Sequence, residues 1–189
     1  MTRTAIEVLG FARTPFGKFG GALRDVDVRD LGAFAVRHAM ARAGVDPQAV
    51  DEVILGVNFP GSRRSIARQA ALRAGLPESI NAITVDKACC SSLAAVRSAA
   101  ANLRLGDTSL AVAGGSENLS AAPYYLETTR WGNRLGPIVL DDHLQISCPH
   151  SGVPRAVQAA TEAAGADAHL GKPIRAEALL SAMIEATGS

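Results

Sequence analysis

Four short apolar runs, separated by helix-length segments that close on glycine, constrain this 189-residue chain more than any other feature. Ala5-Ile6-Glu7-Val8-Leu9 is the first run and Val53-Ile54-Leu55-Gly56-Val57 the second. Asn81-Ala82-Ile83-Thr84-Val85 and Ser109-Leu110-Ala111-Val112-Ala113 complete the set. Between them, Asp30 is expected to cap a helix that runs to about Arg42 and stops at Gly44. A second helix is expected from Ser65 to Ala74, ended by Gly75 and Pro77, and a third from Ser92 to Leu105, ended by Gly106. Strands alternating with helices imply right-handed crossovers and an α/β fold, with a mostly parallel sheet and helices on both faces. Ligands bind such sheets at the carboxyl ends of the strands.

At one such end stands Val85-Asp86-Lys87-Ala88-Cys89-Cys90-Ser91-Ser92-Leu93, a cysteine pair where a strand gives way to a helix. A helix start carries unpaired N–H groups and the positive end of the peptide dipoles. A thiol held there loses its proton more easily, and the thiolate is the attacking form. The pair therefore suits a nucleophile, although a cysteine pair taken alone is more often two small buried residues packing a helix start. Gly114 and Gly115 fall at a second strand end, where glycine permits close backbone approach.

Other segments bear on the choice. Arg13-Thr14-Pro15-Phe16-Gly17-Lys18-Phe19-Gly20-Gly21 lies near the start, and Ala67-Arg68-Gln69-Ala70-Ala71-Leu72-Arg73-Ala74-Gly75-Leu76-Pro77 lies before the cysteines. Ala113-Gly114-Gly115-Ser116-Glu117-Asn118-Leu119-Ser120 and Arg130-Trp131-Gly132-Asn133-Arg134-Leu135-Gly136 follow them. In this order the motifs resemble the amino-terminal half of a thiolase, the acetyl-CoA acetyltransferase family, over roughly Arg3 to Gln158. The resemblance puts the catalytic nucleophile on Cys89, with Cys90 where the family usually has Gly or Ala. It implies a thiolase-like half fold and an acyltransferase that forms or cleaves 3-ketoacyl-CoA, a chemistry of fatty acid metabolism. Cysteine takes an acyl group from CoA, and a second acyl-CoA, deprotonated at its α-carbon, attacks the enzyme thioester. That second step needs a base and donors for the developing oxyanions. In the family these come from a Gly-His-Pro motif and a second Cys followed by Gly, and neither motif occurs here. The expectation is thus a truncated or incomplete thiolase, with a non-catalytic domain that binds CoA or another subunit as the alternative. Coenzyme A enters as thioester substrate, not as a bound cofactor. A homo-oligomer is expected, with contacts around the third strand.

The remaining polar candidates read less sharply. Glu117 and Asn118 follow the diglycine, so hydrogen bonding within the turn competes with general-base work for Glu117. Arg13 and Arg130 to Arg134 could meet CoA phosphates, whereas loop arginines are ordinarily solvated, as Arg63-Arg64 are expected to be. Cys148 and His150 superficially resemble a catalytic set but read as loop residues. His38 belongs to a helix face. His143, beside Asp141-Asp142, has weak spacing for a ligand set, and no metal is expected.

Charge and composition exclude several classes. The net charge is +1, which gives no electrostatic case for nucleic acid or an anionic membrane. With 48% hydrophobic residues there is material for one sizeable core. No membrane span or signal peptide is expected. Three cysteines, two of them adjacent, do not suggest a disulfide framework, and a reducing cytoplasmic setting is expected.

The last stretch differs. From Gly165 to Leu180, with Lys172-Pro173 inside it, the chain resembles the tail of a response-regulator receiver domain, in which Lys172 would match a phosphate-contacting lysine. The acceptor Asp and its acidic partners are missing, so phosphotransfer is not expected. The organisation expected is a thiolase-like α/β domain over 1–120, a loop region over 121–158 and a receiver-like remnant over 159–189. A chimeric junction would fall near 158 to 164. Residues 175 to 187 are expected to form a helix, with Ile174, Leu179, Leu180, Met183 and Ile184 as its apolar stripe.

Overall fold

The computed structural model describes residues 5–126, 129–145 and 181–187. They divide into a unit of Met1–Ser120 with Ala176–Ser189, and a second unit of Ala121–Arg175.

The first unit is built on a five-stranded sheet. Its strands are β1 (Ala5–Ala12), β2 (Glu52–Gly56), β3 (Asn81–Val85), β4 (Leu110–Gly115) and a late strand. Its helices are α1 (Val28–Ala43), α2 (Ile66–Ala74) and α3 (Ser91–Leu105). β2 pairs in parallel with β3 on one side and β4 on the other. Side chains on β2 alternate between faces. Val53 and Leu55 pack with Val36, Met40 and Ala70 of α1 and α2, while Ile54 packs with Ala95, Ala99 and Leu103 of α3. The expected α/β architecture with helices on both faces is present. All three helices end at glycines, Gly44, Gly75 and Gly106, each in the left-handed conformation that glycine adopts without steric cost.

The second unit begins, in the described residues, with β5 (Tyr124–Tyr125), which pairs antiparallel with β6 (Asp141–Asp142). The late strand of the first unit is β7 (Ser181–Thr187), and it corrects the expected helix at the end of the chain. β7 lies between β1 and β4, antiparallel to both, and gives the order β1-β7-β4-β2-β3. Short apolar runs fit helix or strand by pattern alone. Here two ladders of backbone hydrogen bonds outweigh helical propensity. The segment thus joins the first unit's sheet and does not close a receiver fold. Gly165 to Leu180, including His169 and Lys172, lies outside the described residues.

A second correction concerns α1. Asp27, not Asp30, caps it: the carboxylate accepts from the Arg29 N–H at 2.8 Å and from the Arg29 guanidinium at 2.7 Å. Arg63, expected to be solvated, also donates to it at 2.8 Å. The Arg29 bonds foremost, with those of Arg63, hold the Asp27 carboxyl far below the ordinary range. Glu52, 1% exposed at the start of β2, accepts from the side-chain amides of Asn81 (2.8 Å) and Asn102 (2.7 Å), and so ties β2 to β3 and α3.

Two outcomes follow from these buried and half-buried carboxylates. Glu52→Gln turns an acceptor into a second amide facing an amide, and urea titration should show a loss of about 1–3 kcal/mol. Asp27→Ala should cost about 1–2 kcal/mol through the lost cap. Because the Asp27 pKa is depressed in the fold, its contribution is full above the ordinary aspartate range and is lost as pH falls well below it. The gap between wild type and Asp27→Ala, measured by urea titration across pH, should therefore narrow only in strong acid.

Candidate functional site

β2 and β4 end in register at a pair of glycines, Gly56 opposite Gly115. A Cβ on Gly56 would lie 2.3 Å from the carbonyl carbon of Ser91, and one on Gly115 would lie 1.8 Å from Ser92 Oγ. The first turn of α3 therefore rests on two bare backbones. The stripe that α3 buries further along is narrow, Ala95 and Ala99 with Leu103 at its end, which keeps the helix close to the sheet.

Just before this helix the chain makes a tight turn. Asp86 Oδ1 accepts from Ala88 N at 2.9 Å, and Cys90 N donates to Lys87 O at 3.1 Å. Ser91 Oγ accepts from Lys87 N at 2.8 Å and donates to Ala88 O at 2.6 Å. Ala88 is held at φ +49°, a left-handed conformation that costs a non-glycine residue energy. Cys89 and Cys90 are free thiols, and both are exposed, so they are not packed inside the helix start. Cys90 is the N-cap of α3 and makes no side-chain capping bond.

The segment that leaves β4 organises the neighbouring loops. Ser116, buried, donates from N to Gly56 O at 2.9 Å and from Oγ to Val28 O at 2.6 Å, which anchors the start of α1. Glu117 accepts from the backbone N–H groups of Asn58 (2.8 Å) and Phe59 (3.1 Å). The Asn118 amide donates to the carbonyls of Leu23, Arg24 and Val26 at 3.2, 3.1 and 2.7 Å. Ser120 Oγ accepts from Gly20 N at 2.9 Å. Glu117 and Asn118 thus bond to backbone, but of distant loops as well as of their own turn. Burial foremost, aided by the Asp86 charge, pushes the Glu117 carboxyl up, against the lowering effect of its N–H donors.

A cavity of about 40 Å³ lies between the loop from Thr14 to Leu23 and the segment from Glu117 to Ser120. It has room for one to three waters, roughly, and Cys89 does not line it.

Arg13 sits 5.1 Å over the ring of Phe16 and donates to Thr14 O. His38 packs against Phe34 on α1, with ring centroids 4.2 Å apart and the planes tilted by 46°. In the second unit, His143 meets Tyr125 edge-on at 4.7 Å, and Arg130 and Arg134 are exposed. Among the described residues no three His, Cys, Asp or Glu side chains gather as a metal site. Cys148 and His150 lie outside the described residues. Sequence reading missed Gly56, Ser91 and the Asn58–Phe59 backbone. The signal for Gly56 was a glycine inside an apolar strand, which marks close approach by another chain segment.

The chain is similar to known proteins over most of its length. Residues 6–169 match the family model described as thiolase, N-terminal domain, and the match runs past the expected junction near 158 to 164. Over 140 residues it is 46% identical to an acetyl-CoA acetyltransferase of Cupriavidus necator, which covers 74% of this chain and 36% of the relative. An acetyl-CoA acetyltransferase of Syntrophomonas wolfei is 43% identical over 136 residues, 71% of this chain and 34% of its own. The chain spans about a third of the length of these curated relatives. Among solved structures, the Bacillus anthracis acetyl-CoA acetyltransferase superposes with a TM-score of 0.81 at 34% identity, covering 87% of this chain and 43% of that one. Human mitochondrial 3-ketoacyl-CoA thiolase in complex with CoA gives 0.80 at 32% identity, covering 85% and 42%.

Gly115→Ala should shift the first turn of α3 and cost about 1–3 kcal/mol in urea titration. Ser92→Ala in the same chain should recover part of that loss, because Ser92 Oγ is the nearest atom met. Gly56→Ala meets backbone, so no side-chain change should rescue it.

Proposed function

Because the chain belongs to the thiolase family, we propose that it carries the acyl-accepting part of a thiolase-type acyltransferase, with Cys89 as nucleophile. The Cys89 thiolate attacks the thioester carbonyl of an acyl-CoA, the carbon–sulfur bond to CoA breaks, and CoA leaves as its thiolate, which takes up a proton equivalent to the one Cys89 gave up. The observation that carries this reading is the position of Cys89: an exposed thiol on a tight turn ahead of α3, at the carboxyl end of β3. The family's relatives are acetyl-CoA acetyltransferases, and one similar solved structure holds CoA, which supports acyl-CoA as the substrate class. Coenzyme A takes part as substrate, and neither a metal nor a resident cofactor is assigned.

Carbon–carbon bond formation asks for more than one nucleophile, namely a base for the α-proton and donors for the enolate. The acylation and condensation steps are therefore separable in this chain. The second reading is a domain that binds CoA or another subunit without turnover, and the exposed edge strand β3 supports its subunit-binding form.

Self-association belongs to the same proposal. β3 is an edge of the sheet and leaves Ile83 41% exposed, which fits contacts between copies around the third strand. No helix among the described residues is long and apolar enough to cross a membrane. Free thiols suit the cytoplasmic setting proposed for the chain.

Intact mass after incubation with acetyl-CoA should show one acetyl adduct on wild type and none on Cys89→Ala. A folded wild type that takes up no acetyl group would remove the acyltransferase reading and leave the binding domain.

A further inference from the structure

We propose that Glu117 is a positioning residue for Cys89, acting as a latch on backbone and not as an acid or base; this rests on Cys89 as the reactive thiol. Glu117 leaves β4 and grips the loop after β2 through the N–H groups of Asn58 and Phe59. One residue earlier, Val57 N donates to Val85 O at 3.0 Å, at the last residue of β3. Val85 is followed at once by the turn that carries Cys89. Glu117 therefore fixes, through two backbone steps, the strand end from which that turn hangs.

The two cysteines depend on this differently. Cys90 belongs to α3, whose ladder holds it through the bond from Ala94 N to Cys90 O at 2.9 Å. Cys89 lies on the strand side, bridged to Lys87 and next to the strained Ala88. Loosening the end of β3 displaces Cys89 while α3 keeps Cys90 in place.

The chemistry of the latch separates it from proton transfer. Oε2 accepts from Asn58 N (2.8 Å) and Phe59 N (3.2 Å), and Oε1 accepts from Phe59 N as well (3.1 Å). A glutamine with its carbonyl at the Oε2 place still accepts from both N–H groups and loses only the second bond from Phe59, so Glu117→Gln keeps most of the grip without a titrating group. Glu117→Asp keeps the charge and shortens the arm by one methylene, so it loses the grip.

The test is iodoacetamide labelling of the full chain, with Cys89 and Cys90 quantified separately by peptide mass, alongside melting temperature. Glu117→Ala and Glu117→Asp should slow Cys89 relative to Cys90 by about two- to fivefold, because the displaced thiol leaves the positive end of α3, where attack by sulfur is favoured. Glu117→Gln should stay closer to the wild-type ratio than either. General destabilisation exposes both thiols alike and does not change the ratio in this direction. Where Glu117→Ala does not fold, the Asp and Gln pair decides. The latch is overturned if Glu117→Gln loses as much as Glu117→Ala, or if Glu117→Asp keeps the wild-type ratio. Labelling needs no acyl-CoA, so a wild type that takes up no acetyl group would refute the proposed function and leave this comparison standing.

Discussion

The close approach of α3 to the ends of β2 and β4 is the constraint on which the rest of the first unit depends. Gly56 and Gly115 leave no side chain at the point where the first turn of the helix meets the sheet. Any Cβ there would push the turn outward and carry the cysteines with it. The small residues Ala95 and Ala99 continue the same close contact down the helix, where dispersion and apolar burial hold it. The position of the cysteine turn is thus specified by what is missing from two neighbouring strands.

Around that seat, polar groups join elements that lie far apart in sequence. Ser116 holds the start of α1, Glu117 the loop after β2, and Asn118 with Ser120 the long loop after β1. Each is a buried or half-buried donor or acceptor whose partner is backbone, which makes the arrangement costly to break and specific in geometry. Glu52 serves the opposite end of the sheet in a similar manner, with each oxygen accepting from a side-chain carboxamide. The carboxyl ends of the strands are consequently fixed in relation to one another before any ligand arrives.

The apolar surfaces tell of unequal cover. The face holding α1 and α2 is closed by a large cluster that includes Val36, Met40, Leu55 and Val112. The face holding α3 has a smaller one, and on β1 Val8 and Phe11 remain 61% and 59% exposed.

Much of this was legible in the chain itself. The strand–helix alternation, the glycine stops and the diglycine that ends β4 were readable because hydrophobic period and the backbone freedom of glycine are local properties. The family, too, was legible, since its motifs are short and occur in order. The cap of α1 was not: Asp27 and Asp30 are equally good cap residues, and the long-range partners that set them apart, Arg63 on Asp27 and Arg73 on Asp30, arrive from other elements. Nor was the final strand, because Ser181–Thr187 is a strand only where β1 and β4 offer it two hydrogen-bonded edges. The partners of Glu117 and the need for glycine at position 56 were likewise decided by tertiary structure. Sequence by itself determined the local elements and the family. The fold alone decided which distant backbone groups meet, because long-range pairing depends on packing that no local window contains.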